Sequence, residues 1–343
     1  MSHQTSVQES TATITATRSD GGGRGWVAGR FGRFRTGGMR SLVIYIGFVL
    51  IFALFSITLY DRGFLTSDNL LNIVRQSTPV LVMAVGMTYV VSTADIDLSV
   101  GSTVGLAALG TALALRDHGL VIGLAAGVGI GAVVGLANGV ITTKMRLPSF
   151  LVTLGMMSLV AGVTQRLTNL VSVPIDNEGY NAFFGSGDLG PIPGLLIWAV
   201  AVTAVAHAFY RRTRFGRHVL AVGGNREAAS SVGINTDRLR IAVFVISGVL
   251  AGLAGMLYAG TLHSAQYMLG TNDLLTAIAA TVIGGTSLFG GRGSIVGAAL
   301  GALLMGMLNN GLVLMGLSVA EQTAIRGLLI ILAVSLSMRE RKA

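Results

Sequence analysis

The sequence predicts an all-α fold, a polytopic membrane helix bundle of about ten transmembrane helices with both termini cytoplasmic, and three observations carry this. Of 343 residues, 52% are apolar and only 11% charged, with a mean hydropathy of +0.72, which is the composition of an integral membrane protein. The apolar residues gather in long runs separated by mostly short polar gaps. Under a ten-span topology, nineteen of the 24 Lys and Arg residues lie on one side and four on the other, a bias that marks the richer side as cytoplasmic. The net charge of +9 is therefore read as membrane orientation and not as a nucleic-acid surface. With no cysteine in the chain, disulfides, thiolate metal sites and Cys nucleophiles are excluded.

Residues 1–40 are rich in Ser, Thr and Gly and carry Arg18, Arg24, Arg30, Arg33, Arg35 and Arg40 with little to bury, so a disordered cytoplasmic tail is expected. The first apolar run, Ser41–Tyr60, follows those arginines without a small-residue cleavage site and is read as an uncleaved span. Further spans are expected at Asn72–Val91, Val100–Leu115, Leu120–Thr142, Phe150–Leu167, Gly194–Tyr210, Ile241–Leu262, Leu274–Leu288, Ile295–Met315 and Thr323–Ser337. The membrane domain is thus 41–338, followed by a short cytoplasmic tail, 339–343. Two connections are long enough to meet a soluble partner: Arg166–Pro193 outside, and the strongly basic Arg211–Arg240 inside.

The stretch Ser92–Ser102 places Asp95 and Asp97 between two apolar runs. Thr78–Val91 and Val100–Leu115 are each shorter than the roughly 20 residues of a straight span, and together they read as one broken span. Backbone that leaves the helix inside a bilayer must be satisfied by protein or water, so such breaks line cavities or pathways. Two roles are open to the carboxylates. Asp97 or Ser99 can cap the helix that starts at Val100, or the pair can touch a transported molecule.

Gly123, Gly127, Gly131, Gly135 and Gly139 recur every four residues along one span, a flat stripe against which another helix can pack closely. Gly101–Gly105 (Gly-Ser-Thr-Val-Gly) is echoed by Gly293–Gly297 (Gly-Ser-Ile-Val-Gly), each with Ala-Ala-Leu-Gly nearby at 107–110 and 298–301. Such an echo fits two related halves with a pathway between them, and short glycine-rich strings also recur by chance.

Inside the apolar runs lie Gln76, Thr88, Asn138, Thr153, Gln165, Asn309, Asn310 and Arg326, with His263, Gln266, Asn272 and Asp273 at outer ends. Mostly uncharged hydrogen-bonding groups suit a neutral, hydroxylated solute, and equally suit bonds between helices. Asp95, Asp97, Ser99, Asn138, Asn309, Asp273 and Arg326 are the candidate pathway residues. Arg326 needs a partner in the bilayer, and Asp273, which enters from the same face, is the expected one.

Within the inner loop, Asn225 can cap a helix beginning at Arg226, Glu227 suits its positive first turn, and Gly233 can end it in the left-handed conformation. A helix of about two turns is too short to stand alone, and a surface turn packed on the bundle competes with a helix that docks into a partner. Glu227-Ala228-Ala229 followed by Gly233 resembles the start of the Glu-Ala-Ala loop by which permeases of binding-protein-dependent ABC importers hold their ATPase subunit; the later Ile and Leu-Pro of that loop are absent here. Asp95-Ile-Asp-Leu-Ser-Val-Gly-Ser102, Phe215-Gly-Arg217, Gly223-Gly-Asn225 and Ile283-Gly-Gly-Thr-Ser-Leu-Phe-Gly-Gly-Arg-Gly-Ser294 are similar to ribose-type sugar permeases of the ribose and branched-chain amino-acid permease family, over about 41–337. The resemblance implies that Glu227, Ala228, Ala229 and Gly233 form a coupling helix and that Asp95 and Asp97 belong to the signature break. It also implies a second permease chain, two ATP-binding subunits and a periplasmic sugar-binding protein. No Gly-x4-Gly-Lys-Ser/Thr occurs in the chain, so no cofactor is expected on it and ATP belongs to the partner.

A sugar-importing permease moving a pentose or hexose inward by alternating access is thus the leading expectation, with no enzymatic activity of its own. An ion-coupled secondary transporter using Asp95 and Asp97 is one alternative, and a branched-chain amino-acid permease another. A membrane protease lacks a serine with a usable base, since His207, His218 and His263 are isolated in the sequence.

Overall fold

The hydroxyl oxygen of Thr66 accepts the Asn69 N–H at 3.4 Å and starts helix α2 (Ser67–Ser92), which runs unbroken through Pro79. Around that proline the Ser77 and Thr78 hydroxyls donate back to the Ile73 and Val74 carbonyls. The structure, a computed structural model, describes residues 45–339; the expected tail 1–40, the start of the first apolar run and 340–343 lie outside the described residues. Before α2 stands α1 (Tyr45–Thr58). After it come α3 (Val100–His118), α4 (Leu120–Lys144), α5 (Ser149–Thr168), a short α6 (Glu178–Asn181), α7 (Gly194–Arg212), α8 (Arg214–Gly224), α9 (Arg226–Ser231), α10 (Thr236–Leu262), α11 (Leu274–Ile283), α12 (Ile295–Leu314) and α13 (Val319–Arg339). Two two-residue ribbons, β1 (Val173–Pro174) with β4 (Ser264–Ala265) and β2 (Asp188–Leu189) with β3 (Ile192–Pro193), tie down the connections at the other end from α8 and α9.

Each expected apolar run falls on a helix, and α2, α4, α5, α7, α10 and α12 are long and apolar enough to cross a membrane. Two expectations are corrected. The runs flanking Ser92–Ser102 are not halves of one span, because Ser67, Asp68 and Asn69 form a capped first turn and the helix runs on from there, which brings α2 to 26 residues. The run Leu274–Leu288 is helical only to Ile283, since Gly284 and Gly285 follow and Gly285 takes a left-handed φ of 90°.

α10 is the central helix, packed on α4, α2 and α3, while α12 packs on α2 and α11. The α4–α10 contact explains most of the glycine stripe, and Gly123 and Gly127 also abut Leu115 and Thr111 of α3. A Cβ on Gly131 would run into the Gly248 carbonyl oxygen, and one on Gly248 into that of Gly131; a Cβ on Gly252 would meet the Gly127 carbonyl, and one on Gly135 that of Phe244. Backbones in direct contact gain van der Waals energy that no lipid tail can replace. α5 and α7 expose much of their apolar surface, as lipid-facing helices do.

Candidate functional site

At the end of the bundle that carries the basic residues 211–240, two glycine-bearing segments close on the end of α2. α2 stops in a turn where the Asp95 N–H bonds the Val90 carbonyl and the Ala94 N–H that of Val91. Ala94 sits there at φ 61°, where glycine is usual, so roughly 1 kcal/mol of strain or more is stored in that turn. The Ser92 carbonyl accepts the Gly291 N–H at 3.0 Å, and a Cβ on Gly223 would strike the same carbonyl. Ser92 Oγ and Tyr210 Oη share a 2.6 Å hydrogen bond, with Gly293 pressed against both. The segments 92–102, 223–225 and 283–294, far apart in sequence, are one structure.

The turn at Ala94 aims Asp95 at α10. Arg240 grips its carboxylate with two bonds, Nε to Oδ2 at 2.8 Å and Nη2 to Oδ1 at 2.6 Å, and both side chains are buried. Thr93 Oγ1 donates to Oδ2 at 3.2 Å, and Arg226 Nη2 stands 3.7 Å from the same oxygen. Asp97 faces the other way. Its Oδ1 accepts from the Ser99 N–H at 3.0 Å and the Ser99 hydroxyl at 2.7 Å, and its Oδ2 accepts from the Ser247 hydroxyl at 3.3 Å. Asn138 Nδ2 donates to Ser99 Oγ at 2.7 Å. Asp97 thus holds the turn before α3, as a capping carboxylate does, whereas the Ser99 side chain makes no cap bond to that helix.

The break itself is satisfied by protein. Ser149 Oγ accepts the Ile96 N–H at 3.1 Å, and Thr153 Oγ1 accepts the Leu98 N–H at 3.0 Å, so the start of α5 provides what the lost helix would have supplied. On α4, the Asn138 side-chain oxygen and the Thr142 hydroxyl, one turn apart and fully buried, have no hydrogen-bond partner among the described residues.

Of the sequence-predicted pathway residues, Asp97, Ser99 and Asn138 come together, and Asp95 joins them along the chain while pairing elsewhere. Asn309, Asp273 and Arg326 make no hydrogen bond or ion pair to this cluster among the described residues. The expected Arg326–Asp273 pair is replaced: Tyr258 Oη donates to Asp273 at 2.6 Å, and Arg326 Nε reaches only the Gln322 carbonyl, at 3.4 Å. The phenol lies on the helix just before Asp273 and satisfies it without crossing to α13. Arg240 and Ser247 escaped notice in the sequence, although an arginine at the mouth of an apolar run calls for a counter-charge and Asp95 was available.

The inner connection is not a loop but two helices. α8 is capped by Thr213 and seats Val219 and Val222 in the core. Asn225 Oδ1 accepts the Ala228 N–H at 2.9 Å to start α9, Asn235 Oδ1 accepts the Arg238 N–H to start α10, and Gly233 lies between them at φ 87°. α9 touches the bundle through buried Ala229, while Glu227 and Ala228 are exposed and Val232 is 77% exposed. It stands out as a short, rigidly bracketed knob.

The family model for the permease component of branched-chain amino acid transport systems matches residues 69–334. The chain is 42% identical over 280 residues to the ribose import permease of Escherichia coli strain K12, covering 79% of this chain and 86% of that one. It is 36% identical to the L-arabinose ABC transporter permease of Azospirillum brasilense, over 86% of each chain. To the xylose transport system permease of Haemophilus influenzae it is 31% identical, over 88% of this chain and 96% of the other. No solved structure matches. With the family model spanning nearly all of the helical bundle, the chain belongs to this family of transport-system permease components.

Proposed function

We propose that the chain is the membrane-spanning permease subunit of an ATP-driven importer that moves a monosaccharide, a pentose or hexose, inward across the cytoplasmic membrane. The observation that carries this reading is similarity over 79% of the chain or more to permeases named for ribose, L-arabinose and xylose. In this reading ten spans leave both termini cytoplasmic, two permease chains pair with two ATP-hydrolysing subunits, and a periplasmic binding protein delivers the sugar. The knob that the ATPase holds presents Asn225, Glu227, Ala228 and Gly233, while Ala229 seats it on the bundle.

Closure of the ATPase subunits moves α9 and re-packs the spans about a path near the midplane, and helix contacts made of glycine backbone allow such sliding. Asp97, Ser99, Asn138 and Asn309 supply donors and acceptors for sugar hydroxyls as the bundle opens; the side-chain oxygens of Asn138 and Asn309 are unpaired acceptors among the described residues. Asp95 and Asp273 are engaged by Arg240 and Tyr258 in this conformation.

The test is uptake of a pentose and hexose panel into vesicles holding the permease with its ATPase and binding protein. Glu227→Ala is expected to lower ATP-dependent uptake about ten-fold at normal membrane levels, because exposed Glu227 has no bond within the bundle to lose. Uptake that follows the proton gradient and ignores ATP would establish an ion-coupled transporter instead. Uptake of leucine or valine in place of sugars would make the chain an amino-acid permease.

A further inference from the structure

Both charged residues of α9 are exposed, but Arg226 also reaches the bundle, its guanidinium 3.7 Å from buried Asp95. Asp95 does not need it. Arg240 already supplies a buried, two-bond counter-charge, and a second cation, half-exposed at 3.7 Å, adds little stability. Arg226 is also in a contested position: burial first, then the guanidinium of Arg240, press against its charge, while Asp95 and Asp237 favour it. The contact adds little stability, yet it joins the exposed helix α9 to the buried turn after α2.

Asp95 is the third residue of the turn that separates α2 from α3, and Arg226 is the first residue of α9. The backbone around them leaves no slack. Gly223, two residues before the α9 cap, abuts the Ser92 carbonyl, and Gly290 abuts Ala94 and the Gly223 carbonyl. These contacts hold the turn 92–95 beside the start of α9 without including any α9 residue, so within α9 it is Arg226 that reaches the turn, where Ala94 is already strained at φ 61°. Beyond that turn lie Asp97 and Ser99 at the head of α3, and through them Asn138 on α4 and Ser247 on α10.

We infer that Arg226 and Asp95 are the contact through which movement of α9 reaches the break before α3, with the Asp95–Arg240 pair as its fixed pivot. This rests on α9 being the coupling helix, and it makes Arg226 a positioning residue. In the resting contact Arg226 bears on Asp95; when the ATPase draws α9 away, the contact opens and the turn 92–95 relaxes, which frees the hydrogen-bonded head of α3 to shift against α4 and α10.

Hydrogen–deuterium exchange on the full permease–ATPase assembly in lipid nanodiscs, with and without a non-hydrolysable ATP analogue, tests this without knowledge of the sugar. In the natural assembly the nucleotide is expected to change exchange at both 226–233 and 93–99. Arg226→Gln should keep the change at 226–233 and lower that at 93–99 about ten-fold, with an unaltered unfolding temperature, and Arg226→Lys should restore it. A merely structural arginine would lower the unfolding temperature and leave the two segments linked. If 93–99 still follows nucleotide in Arg226→Gln, or never responds in the natural assembly while 226–233 does, the inference is wrong. If 226–233 itself does not respond, the coupling-helix reading fails and takes this one with it.

Discussion

Arg240→Leu is expected to destabilise the permease by about 3–5 kcal/mol, the cost of leaving a buried carboxylate without its partner. Asp95 is 3% exposed and Arg240 7%, so water cannot take over the lost bonds, and Arg226 at 3.7 Å offers neither the distance nor the geometry to replace two bonds shorter than 3 Å. In a chain whose whole stability is of order 5–15 kcal/mol, that loss should show as a steep fall in the amount of folded protein in the membrane. Thermal unfolding in detergent measures it. The double variant Asp95→Leu with Arg240→Met removes both charges while keeping much of the buried volume, and should recover most of the stability, because the expense lies in the orphaned charge and not in the missing pair. Should Arg240→Leu unfold like the natural protein, the buried pair contributes nothing. Should the double variant be no better than the single, the arginine acts through its packing alone.

What could be read from the chain divides along physical lines. The helices were legible because a membrane helix is announced by a local property, an unbroken apolar run, and the ends of α9 because caps are local: Asn225 and Gly233 do their work within a few residues of themselves. The packing role of the α4 glycines was legible for the same reason, since their spacing forms a stripe on one helix. The partner of that stripe was not, and Gly248 and Gly252 are found only in the fold. Asp95 shows the limit most sharply. It meets Arg240 across 145 residues of chain, and nothing local distinguishes it from Asp97, which is two residues away and is held by hydroxyls and one N–H. Charge and a shared face point Asp273 to Arg326, but a phenol on the preceding helix serves a carboxylate as well and costs less desolvation than a second buried charge. The length of α2 was missed because polar residues at a helix start look like a loop until a cap such as Thr66 is recognised.

Gly131→Leu should sharply lower the amount of folded permease in the membrane, while Gly129→Leu, two residues away on the same helix, should be neutral or slightly stabilising. At Gly131 the new Cβ meets the carbonyl of Gly248, a backbone atom of the central helix that no rotamer change can move aside. Relief requires α4 and α10 to part, which also separates Gly127 from Gly252 and Gly135 from Phe244. Over-packing costs about 1–3 kcal/mol where side chains can adjust; here the obstacle is backbone and the contact is shared along the helix, so a loss of about 3 kcal/mol or more is expected. At Gly129 a Cβ meets nothing within 4 Å, and leucine is the better helix former by roughly 1 kcal/mol. Membrane levels and unfolding temperatures of the two variants, side by side, separate close helix contact from a general intolerance of bulk in α4. Equal loss in both would mean that α4 is surrounded on every side, as by another chain against the Gly129 face. Equal tolerance would mean that α4 and α10 do not pack backbone to backbone, and the glycine stripe would then need another explanation, in which it loosens α4 for movement instead of joining it to α10.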